Sequence, residues 1–397
     1  MSQINVRNLS NENDDGSPEI VGVSTFSATS FFVPPKGNTE ERPSDCEPGS
    51  IRFNTDTANL EYYRGKILGW TQFDLVTPNL GQSGGDGGST SVSNGLGVRG
   101  LMMGGNGSPD NTREEIEYIT ISSLGNSQDF GELTQGSQSG IGNMSSRTRA
   151  FYAGGSLIPA GINVINRITM ASLGNGVDYG DTLTNRAGAG GVSNQIRAII
   201  MGGNADSPVT NVIEYFSMTQ SGNAVDFGDL ATAREQPAGG VNSSTRGLLA
   251  GGSSPSTNQI DFITMSTLGD SQDFADLTDN ISSAAGGCNS TRGLFAGGAL
   301  SPGRTNIISF VTIATKSDAT DFGDLTVARQ GVAGMSSPTR AVFAGGALTP
   351  NPIFNTLDYV TISTLGDALD FGDIAGGGST NGQIHNHATA SNGHGGL

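Results

Sequence analysis

Paired carboxylates recur along this chain at a spacing that could hold a metal ion. An Asp–aromatic step is followed by a second acid three residues after the Asp, as in Asp226 and Asp229, and this pattern occurs six times. Clustered carboxylate oxygens are the ligands that hard cations prefer. Six equal copies favour a structural role, because a binding site usually departs from the repeat. We therefore expect these acids to cap backbone N–H groups at turns or to pair with repeated arginines.

The three histidines form a second candidate for metal chemistry, because they lie within ten residues of one another. His385 and His387 are two residues apart, so a strand would place both imidazoles on one side. Imidazole suits Zn, Fe and Ni, and a threefold fibre could bring three such pairs onto its axis. The alternative is a glycine-rich tail exposed to solvent. We favour the exposed tail, and a structural metal at His385 and His387 is the only cofactor candidate.

Signatures of an enzyme are absent from the sequence. It contains no nucleophile elbow, no Ser/His/Asp set, no phosphate-binding loop and no zinc-type spacing. A glycan-cleaving enzyme would need two carboxylates that depart from the repeat and lie together. Only Glu114, Glu115 and Glu235 depart clearly from the pattern, and none is a convincing catalytic residue. We predict no catalytic residues.

Composition excludes several classes of partner. The chain has 397 residues, 20 Lys and Arg against 37 Asp and Glu, and a net charge of −17. Nucleic acids and anionic membranes both attract clustered basic residues, so neither is an expected partner. No stretch approaches the 18 apolar residues of a membrane span. Cys46 and Cys288 lie in different segments and predict no disulfide framework. The polar N-terminus lacks a signal-peptide core, so we expect synthesis in a cytoplasm.

The paired acids belong to a repeat of about 48 residues that runs from residue 99 to about residue 375. Each copy starts with an arginine, and a glycine pair such as Gly345-Gly346 follows five residues later. A second apolar run and the Asp–aromatic step complete the copy. A period of this size indicates a repeat architecture. The six register arginines are Arg99, Arg149, Arg197, Arg246, Arg292 and Arg340.

The apolar runs of each copy are four to six residues long, rich in β-branched and aromatic residues, and bounded by Gly, Asn, Ser, Asp and Pro. Such runs predict short strands rather than helices. Three clear strands and a weaker fourth in about 48 residues match one propeller blade. The glycine pairs predict positive φ or close packing between blades. We predict an all-β protein in which residues 97–397 form a six-bladed β-propeller.

The sixth copy lacks a strand of its own to complete the ring. Residues 91–94 and residues 389–392 are both candidates for this strand. Either segment would remove an open sheet edge that invites aggregation. We favour the C-terminal candidate.

Residues 1–80 predict a small N-terminal β-module. Apolar and polar residues alternate on both sides of residues 54–59, which is a hairpin signal, and a third strand should pass through Ile67, Leu68 and Trp70. Pro34-Pro35-Lys36-Gly37 should break the extended chain before it. A sheet this small is marginal alone, so its apolar face needs a partner. The extreme N-terminus should be flexible, and residues 81–96 should be a Gly/Ser-rich linker.

Two resemblances to known families follow from these motifs. A hydrophobic strand that ends in Gly-Gly at this period resembles the kelch-type propeller, although the blades lack the kelch tryptophan and Trp70 lies outside them. Residues 49–70 (GSIRFNTDTANLEYYRGKILGW) and repeats such as residues 339–346 (TRAVFAGG) resemble structural and fibre proteins of tailed bacteriophages, especially phages of marine cyanobacteria. The phage resemblance implies a virion component that is assembled in the host cytoplasm.

The resemblance implies a non-enzymatic tail or neck fibre, or a decoration appendage. Residues 1–80 would bind other virion proteins, and the propeller would present loops to a host-surface glycan or protein. A homotrimer is expected by analogy with fibres. The alternatives are a glycan-degrading propeller enzyme on the virion and an intracellular scaffold. The candidate binding residues lie in loops that differ between copies: Asn106, Asp110, Arg113, Glu115, Asn204, Asp206, Asn351 and Phe354.

Overall fold

The structure is a computed structural model that describes residues 34–44, 46–56, 59–66, 69–72, 99–107, 112–157, 160–204, 208–348, 352–376 and 383–397. All regular structure in these residues is β, as predicted. Within the same residues there is no helix with the length and apolar character to cross a membrane. The contacts divide the chain into two compact units, Met1–Leu80 and Gly81–Leu397.

The N-terminal unit contains one four-stranded sheet of β1 (Lys36–Gly37), β2 (Ile51–Asn54), β3 (Asn59–Tyr63) and β4 (Trp70–Gln72), in that order. The predicted hairpin is confirmed, because β2 and β3 pair in antiparallel register. Lys36 and Gly37, at the predicted break, pair in parallel with β2, and the extended segment before them lies outside the described residues. Residues 67 and 68 of the predicted third strand lie outside the described residues. The fully buried Glu61 carboxylate accepts from Arg42 at 2.7 Å, which ties the loop before β2 to the sheet.

The second unit contains 26 strands in its described residues. In chain order they are β5 (Arg99–Met103), β6 (Arg113–Thr120), β7 (Gln128–Ser137), β8 (Ile141–Ser145), β9 (Arg149–Ala153), β10 (Val164–Thr169), β11 (Val177–Asp181), β12 (Gly190–Ser193), β13 (Arg197–Met201), β14 (Val212–Ser217), β15 (Val225–Asp229), β16 (Gly240–Asn242), β17 (Arg246–Ala250), β18 (Gln259–Thr264), β19 (Gln272–Asp276), β20 (Ala285–Cys288), β21 (Arg292–Ala296), β22 (Ala299–Leu300), β23 (Gly303–Arg304), β24 (Ile307–Thr312), β25 (Thr320–Asp324), β26 (Ala333–Ser336), β27 (Arg340–Ala344), β28 (Thr356–Thr361), β29 (Leu369–Asp373) and β30 (Ala388–Ser391).

These strands form six four-stranded antiparallel sheets, numbered here in chain order. Sheet 1 is β30-β5-β6-β7, sheet 2 is β8 to β11, sheet 3 is β12 to β15, sheet 4 is β16 to β19, sheet 5 is β20-β21-β24-β25 and sheet 6 is β26 to β29. The short pair β22-β23 stands apart. Each register arginine is the first residue of the second strand of its sheet, so the repeat predicted the strand starts correctly.

The C-terminal candidate for the missing strand is confirmed. β30 pairs with β5, with Ala388 opposite Met103 and Ser391 opposite Gly100. The other candidate, residues 91–94, lies outside the described residues. The first strands of the six sheets (β8, β12, β16, β20, β26 and β30) each contact the first strands of two neighbouring sheets, and β30 contacts β8. These contacts therefore form a closed cycle.

The apolar core is divided into six clusters that lie between neighbouring sheets. Leu101 and Met103 of sheet 1, for example, pack with Ala150 and Tyr152 of sheet 2. The cluster between sheets 6 and 1 combines residues of β28 and β6, so it joins the last sheet to the first. Fully burying a large apolar side chain contributes about 1.5–3 kcal/mol, and this chain has no disulfide in its described residues. Apolar packing between sheets is therefore the main source of stability.

Candidate functional site

The register arginines bind backbone carbonyls of the next sheet. Arg99 Nη1 donates to the Met170 carbonyl at 2.6 Å, and Arg340 Nη1 donates to the Ile121 carbonyl at 3.3 Å, which returns to sheet 1. The other four register arginines each donate in the same way to a backbone carbonyl of the sheet that follows their own. Among the described residues none of the six forms an ion pair with an acid. The predicted pairing of these arginines with the repeated acids is therefore wrong.

The arginines also stack on aromatic rings of their own sheets. In five sheets the guanidinium carbon lies 4.9–5.1 Å from a ring centroid, as with Arg340 and Tyr359. A cation over an aromatic face is attracted by about 0.5–1 kcal/mol at exposed sites. These contacts assign the register arginines a structural role between sheets.

In the part of the chain that the structure describes, the side chains of the repeated acids neither cap turns nor pair with the register arginines, so both predicted roles are wrong. The first acid of every pair is exposed. The backbone N–H of the second acid donates instead to an Asn or Asp side chain of the next sheet: Glu132 to Asn175, Asp181 to Asn223, Asp229 to Asp270, Asp276 to Asp318, Asp324 to Asp367 and Asp373 to Asn126. The last of these bonds again joins sheet 6 to sheet 1. The described residues contain no group of three His, Cys, Asp or Glu that could hold a metal ion.

A second set of arginines, which the sequence reasoning missed, is buried between sheets. Arg186 lies 3.4 Å from Glu214, Arg234 lies 2.7 Å from Asp261 and Arg329 lies 3.0 Å from Asp358, and every one of these side chains is at most 1% exposed. Burial lowers the pKa of the three arginines, and the attraction of each partner carboxylate opposes that shift. In sheet 5 the corresponding residues are Ile281 and Ser309, so the pair is lost as a unit.

A β-bulge lies beside each of these acids. In each sheet the pairing between the third and fourth strands shifts register directly before this position, as between Ile213 and Glu214. The extra residue on the fourth strand is the aromatic of the Asp–aromatic step. The third strand keeps its own alternation, with Ile213 and Tyr215 toward sheet 4 and Phe216 toward sheet 2. Glu214 lies on the side of Phe216, and it is buried because both faces of the strand are covered by neighbouring sheets. The available signal was that Arg and an acid occur together in sheets 3, 4 and 6 and are both absent from sheet 5.

A central pocket of about 110 Å³ is surrounded by residues of all six sheets. Six residues, one from each sheet, form a ring at this pocket. Each lies two residues before the first strand of its sheet, except Gln236, which lies four residues before β16. The ring residues are Ser139, Gly188, Gln236, Ser283, Gly331 and Asn386. Each ring N–H donates to the carbonyl of the preceding ring residue at 2.7–3.0 Å, and Ser139 donates to Asn386. This cycle of six bonds is complete, and all six residues have φ between 48° and 65°.

The ring departs from sixfold symmetry in its side chains. Around the ring the residue classes run serine, glycine, amide, and then serine, glycine, amide again. Gln236 and Asn386, which carry the two amides, are therefore three steps apart and occupy opposite positions of the ring. The Asn386 side chain lies over Gly331, and that of Gln236 lies beside Gly188. A left-handed φ strains non-glycine residues, so the four side chains are retained against a conformational cost.

Close packing of the first strands explains the glycines that line the pocket wall. A Cβ on Gly191 would lie 2.0 Å from the Gly142 carbonyl oxygen, and one on Gly334 would lie 2.3 Å from that of Gly286. The first strands therefore approach so closely that Cα–H groups face carbonyl oxygens. Thr389 of β30 holds the equivalent place in sheet 1, and its hydroxyl donates to the Gly334 carbonyl at 2.6 Å.

The opposite end of the first strands is filled by the chain itself. Residues 392–396 are buried, and His394 Nε2 lies 3.1 Å from the Ser145 carbonyl and 3.3 Å from Ser193 Oγ. The expected exposed tail is therefore wrong. His387 is only 6% exposed and both of its ring nitrogens are without a hydrogen-bond partner. Burial, with the nearby Arg113 cation, lowers the pKa of His387 to about 3. The neutral His387 and the half-buried His385 belong to no metal cluster among the described residues.

The predicted loop residues have mixed outcomes. Asn106 forms an isolated β-bridge with His385, and Asn204 forms one with Ala187. Each of these partners directly precedes a ring residue, so both asparagines lie on the pocket side. Arg113 is 3% exposed and donates to Glu115 at 3.2 Å, so its predicted role as an accessible loop residue is wrong. Phe354 is half-buried and its N–H donates to Gly346. Asp110, Asp206 and Asn351 lie outside the described residues.

Of the three acids that depart from the repeat, Glu114 and Glu115 are adjacent on β6, and Glu235 lies at another sheet. Glu115 belongs to β6 of sheet 1 and is held by Arg113, whereas Glu235 precedes sheet 4 and accepts from Asn204 and Ser254 at 3.0 Å each. Glu114 is exposed on β6. No charged residue is among those that line the central pocket. The sequence matches no protein-family model and none of the curated proteins.

Proposed function

We propose that the six sheets are the blades of a six-bladed, kelch-like β-propeller. Three independent cycles support this architecture: the first-strand contacts, the register-arginine bonds and the hydrogen bonds of the pocket ring. Each cycle steps from one sheet to the next and returns to its start. A closed ring leaves no open sheet edge between the first and last blades.

This propeller acts as a non-enzymatic binding module of a tailed-phage virion. The observation that carries this proposal is the central pocket, to which all six sheets contribute and whose described lining residues include no carboxylate or other charged side chain. Hydrolysis of a glycosidic bond usually requires two carboxylates on either side of that bond. The pocket can bind a neutral ligand by hydrogen bonds, but it offers no acid–base pair.

The virion assignment rests on the resemblance of residues 49–70 and of the repeats to phage structural proteins. In this account residues 1–80 anchor the chain to a tail, a neck or another appendage, as one copy or as a homotrimer. The propeller then displays its pocket side to a host-surface glycan or protein. A rigid ring that holds variable loops suits this task.

Binding and cleavage can be separated with the purified full chain. We expect the chain to bind cells of a susceptible marine cyanobacterial strain and to release no reducing ends from their surface polysaccharide. Release of reducing ends that disappears in the triple variant Glu114→Gln, Glu115→Gln, Glu235→Gln would instead establish the glycan-degrading alternative. Release that persists in this variant would point to a contaminant and would leave the binding result as the test.

A further inference from the structure

We infer that the central pocket binds one uncharged sugar residue at the ring in which Gln236 and Asn386 hold opposite positions. This inference rests on the proposed binding function and names its site and ligand class. The pocket volume of about 110 Å³ is well below the 300–1,000 Å³ of drug-sized sites. The volume therefore limits the ligand to the end of a glycan chain, which enters from the open side, rather than a longer stretch of glycan.

The chemistry of the wall selects a neutral ligand. The wall consists mainly of glycine and alanine, with one proline, one valine and a few residues that carry hydroxyl or amide groups. Among its described residues His387 is the only one with a titratable side chain. A charged ligand would lose its hydration without a counter-charge, which is costly. An anionic ligand would meet the additional repulsion of a chain with net charge −17.

The polar groups of the ring match hydroxyls. A carboxamide offers two donors and one acceptor atom, and a sugar hydroxyl both donates and accepts, so the two groups are complementary in either direction. The Gln236 Oε1 accepts from Ser283 Oγ at 3.3 Å, which fixes one amide. The Asn386 side chain hydrogen-bonds to His385, and a bond that favours the protonated imidazole uses the amide oxygen. Within the described residues no hydrogen bond is donated by either amide nitrogen, so the two nitrogens remain available to a ligand.

The departure from symmetry indicates that these side chains serve more than the fold. Gly188 and Gly331 show that the ring closes without a side chain at this place. Gln236 and Asn386 nevertheless adopt φ of 48° and 51°, at a cost that glycine would avoid. A ligand that contacts both amides accounts for their presence at opposite positions of the ring.

The same glycines supply the test variant. The double variant Gln236→Gly, Asn386→Gly gives the ring a residue that it already uses, and so should fold with an unchanged unfolding temperature. Saturation-transfer NMR and calorimetry with methyl glycosides of glucose, galactose and N-acetylglucosamine should show binding of at least one of them to the full chain. The double variant should bind it at least tenfold more weakly, and glucuronic acid should not bind.

Three outcomes would overturn the inference: no binding of any neutral glycoside, equal binding by the double variant, or equal binding of glucuronic acid. The cell-binding measurement keeps the two proposals apart. If the double variant still binds host cells, the binding function stands and its site lies elsewhere on the chain. If the unaltered chain does not bind cells, the binding function fails whatever the sugar result.

Discussion

Arg340 Nη1 donates to the carbonyl oxygen of Ile121 at 3.3 Å, a bond that joins residues 219 positions apart. The same guanidinium donates to the Ser122 carbonyl at 3.1 Å and stacks on Tyr359. It is the sixth member of a series in which every register arginine reaches the next sheet. Its target lies in the first sheet, so this contact belongs to the closure of the whole domain.

Replacing Arg340 with alanine should destabilise the closure between sheets 6 and 1. A hydrogen bond to a charged group contributes about 1.5–3 kcal/mol, so Arg340→Ala should lower the free energy of unfolding by about that amount. Urea denaturation followed by circular dichroism measures the change. Arg147 is exposed, and Arg147→Ala is the matched control that should change stability by less than about 0.5 kcal/mol. Equal effects of the two variants would contradict a role in closure.

Gly191 should not tolerate a side chain. An added Cβ would lie 2.0 Å from the Gly142 carbonyl oxygen, and neither first strand can move without disturbing its neighbours. Overpacking of this kind costs about 1–3 kcal/mol or more. Gly303 lies in open space, with its nearest atom 3.9 Å from an added Cβ, so Gly303→Ala serves as the control. Thermal unfolding of both variants should show a lowered midpoint for Gly191→Ala alone.

The buried pair of Arg329 and Asp358 should behave as a unit. Arg329→Ile alone leaves a buried carboxylate without its cation, which costs about 3–5 kcal/mol. Adding Asp358→Ser reproduces the Ile281 and Ser309 of sheet 5 and should restore at least half of the lost stability. A double-mutant cycle by urea denaturation measures this coupling. A double variant less stable than Arg329→Ile would contradict the interpretation.

Acid should weaken the fold through its buried histidines. Burial lowers the pKa of His387 to about 3 and that of His394 to about 4, whereas both titrate near 6.5 when unfolded. Below pH 6.5 the unfolded chain binds protons that the folded chain does not, so stability declines as pH falls toward those folded values. The slope is up to about 1.4 kcal/mol per pH unit for each histidine.

The variant His387→Val tests this dependence, because Val332 occupies the corresponding place in sheet 6. Its free energy of unfolding should fall less steeply between pH 6.5 and pH 4 than that of the unaltered chain. Nearby Arg113 and Arg329 also disfavour protonation of His387, and they remain in the variant. An unchanged slope would show that His387 does not contribute.

The strands and their order were predictable from the sequence, because Arg99 and its counterparts recur at a fixed interval before β-branched and aromatic runs. Gly104 and Gly105 were also interpretable, since both adopt positive φ at the end of their strand. The arginine partners were not predictable, because a backbone carbonyl has no signature in the sequence. Neither were the buried acids such as Glu214, because both faces of this strand are covered by neighbouring sheets and alternation no longer marks a solvent-exposed face.

The pocket ring was hidden for a related reason. Ser139, Gln236, Ser283 and Asn386 occupy left-handed conformations in which glycine is expected, so residue type pointed away from a shared backbone geometry. The common feature is a cycle of backbone bonds, which only the fold reveals. The alternation of serine, glycine and amide then becomes visible as a departure from the repeat.

Cryo-EM of virions purified from the phage whose genome carries this sequence tests the central claim most directly. The account predicts a ring of six four-stranded sheets at an exposed surface, with residues 1–80 against the particle and the central pocket open to solvent. Absence of the chain from purified particles, or a pocket side buried against other virion proteins, would contradict it.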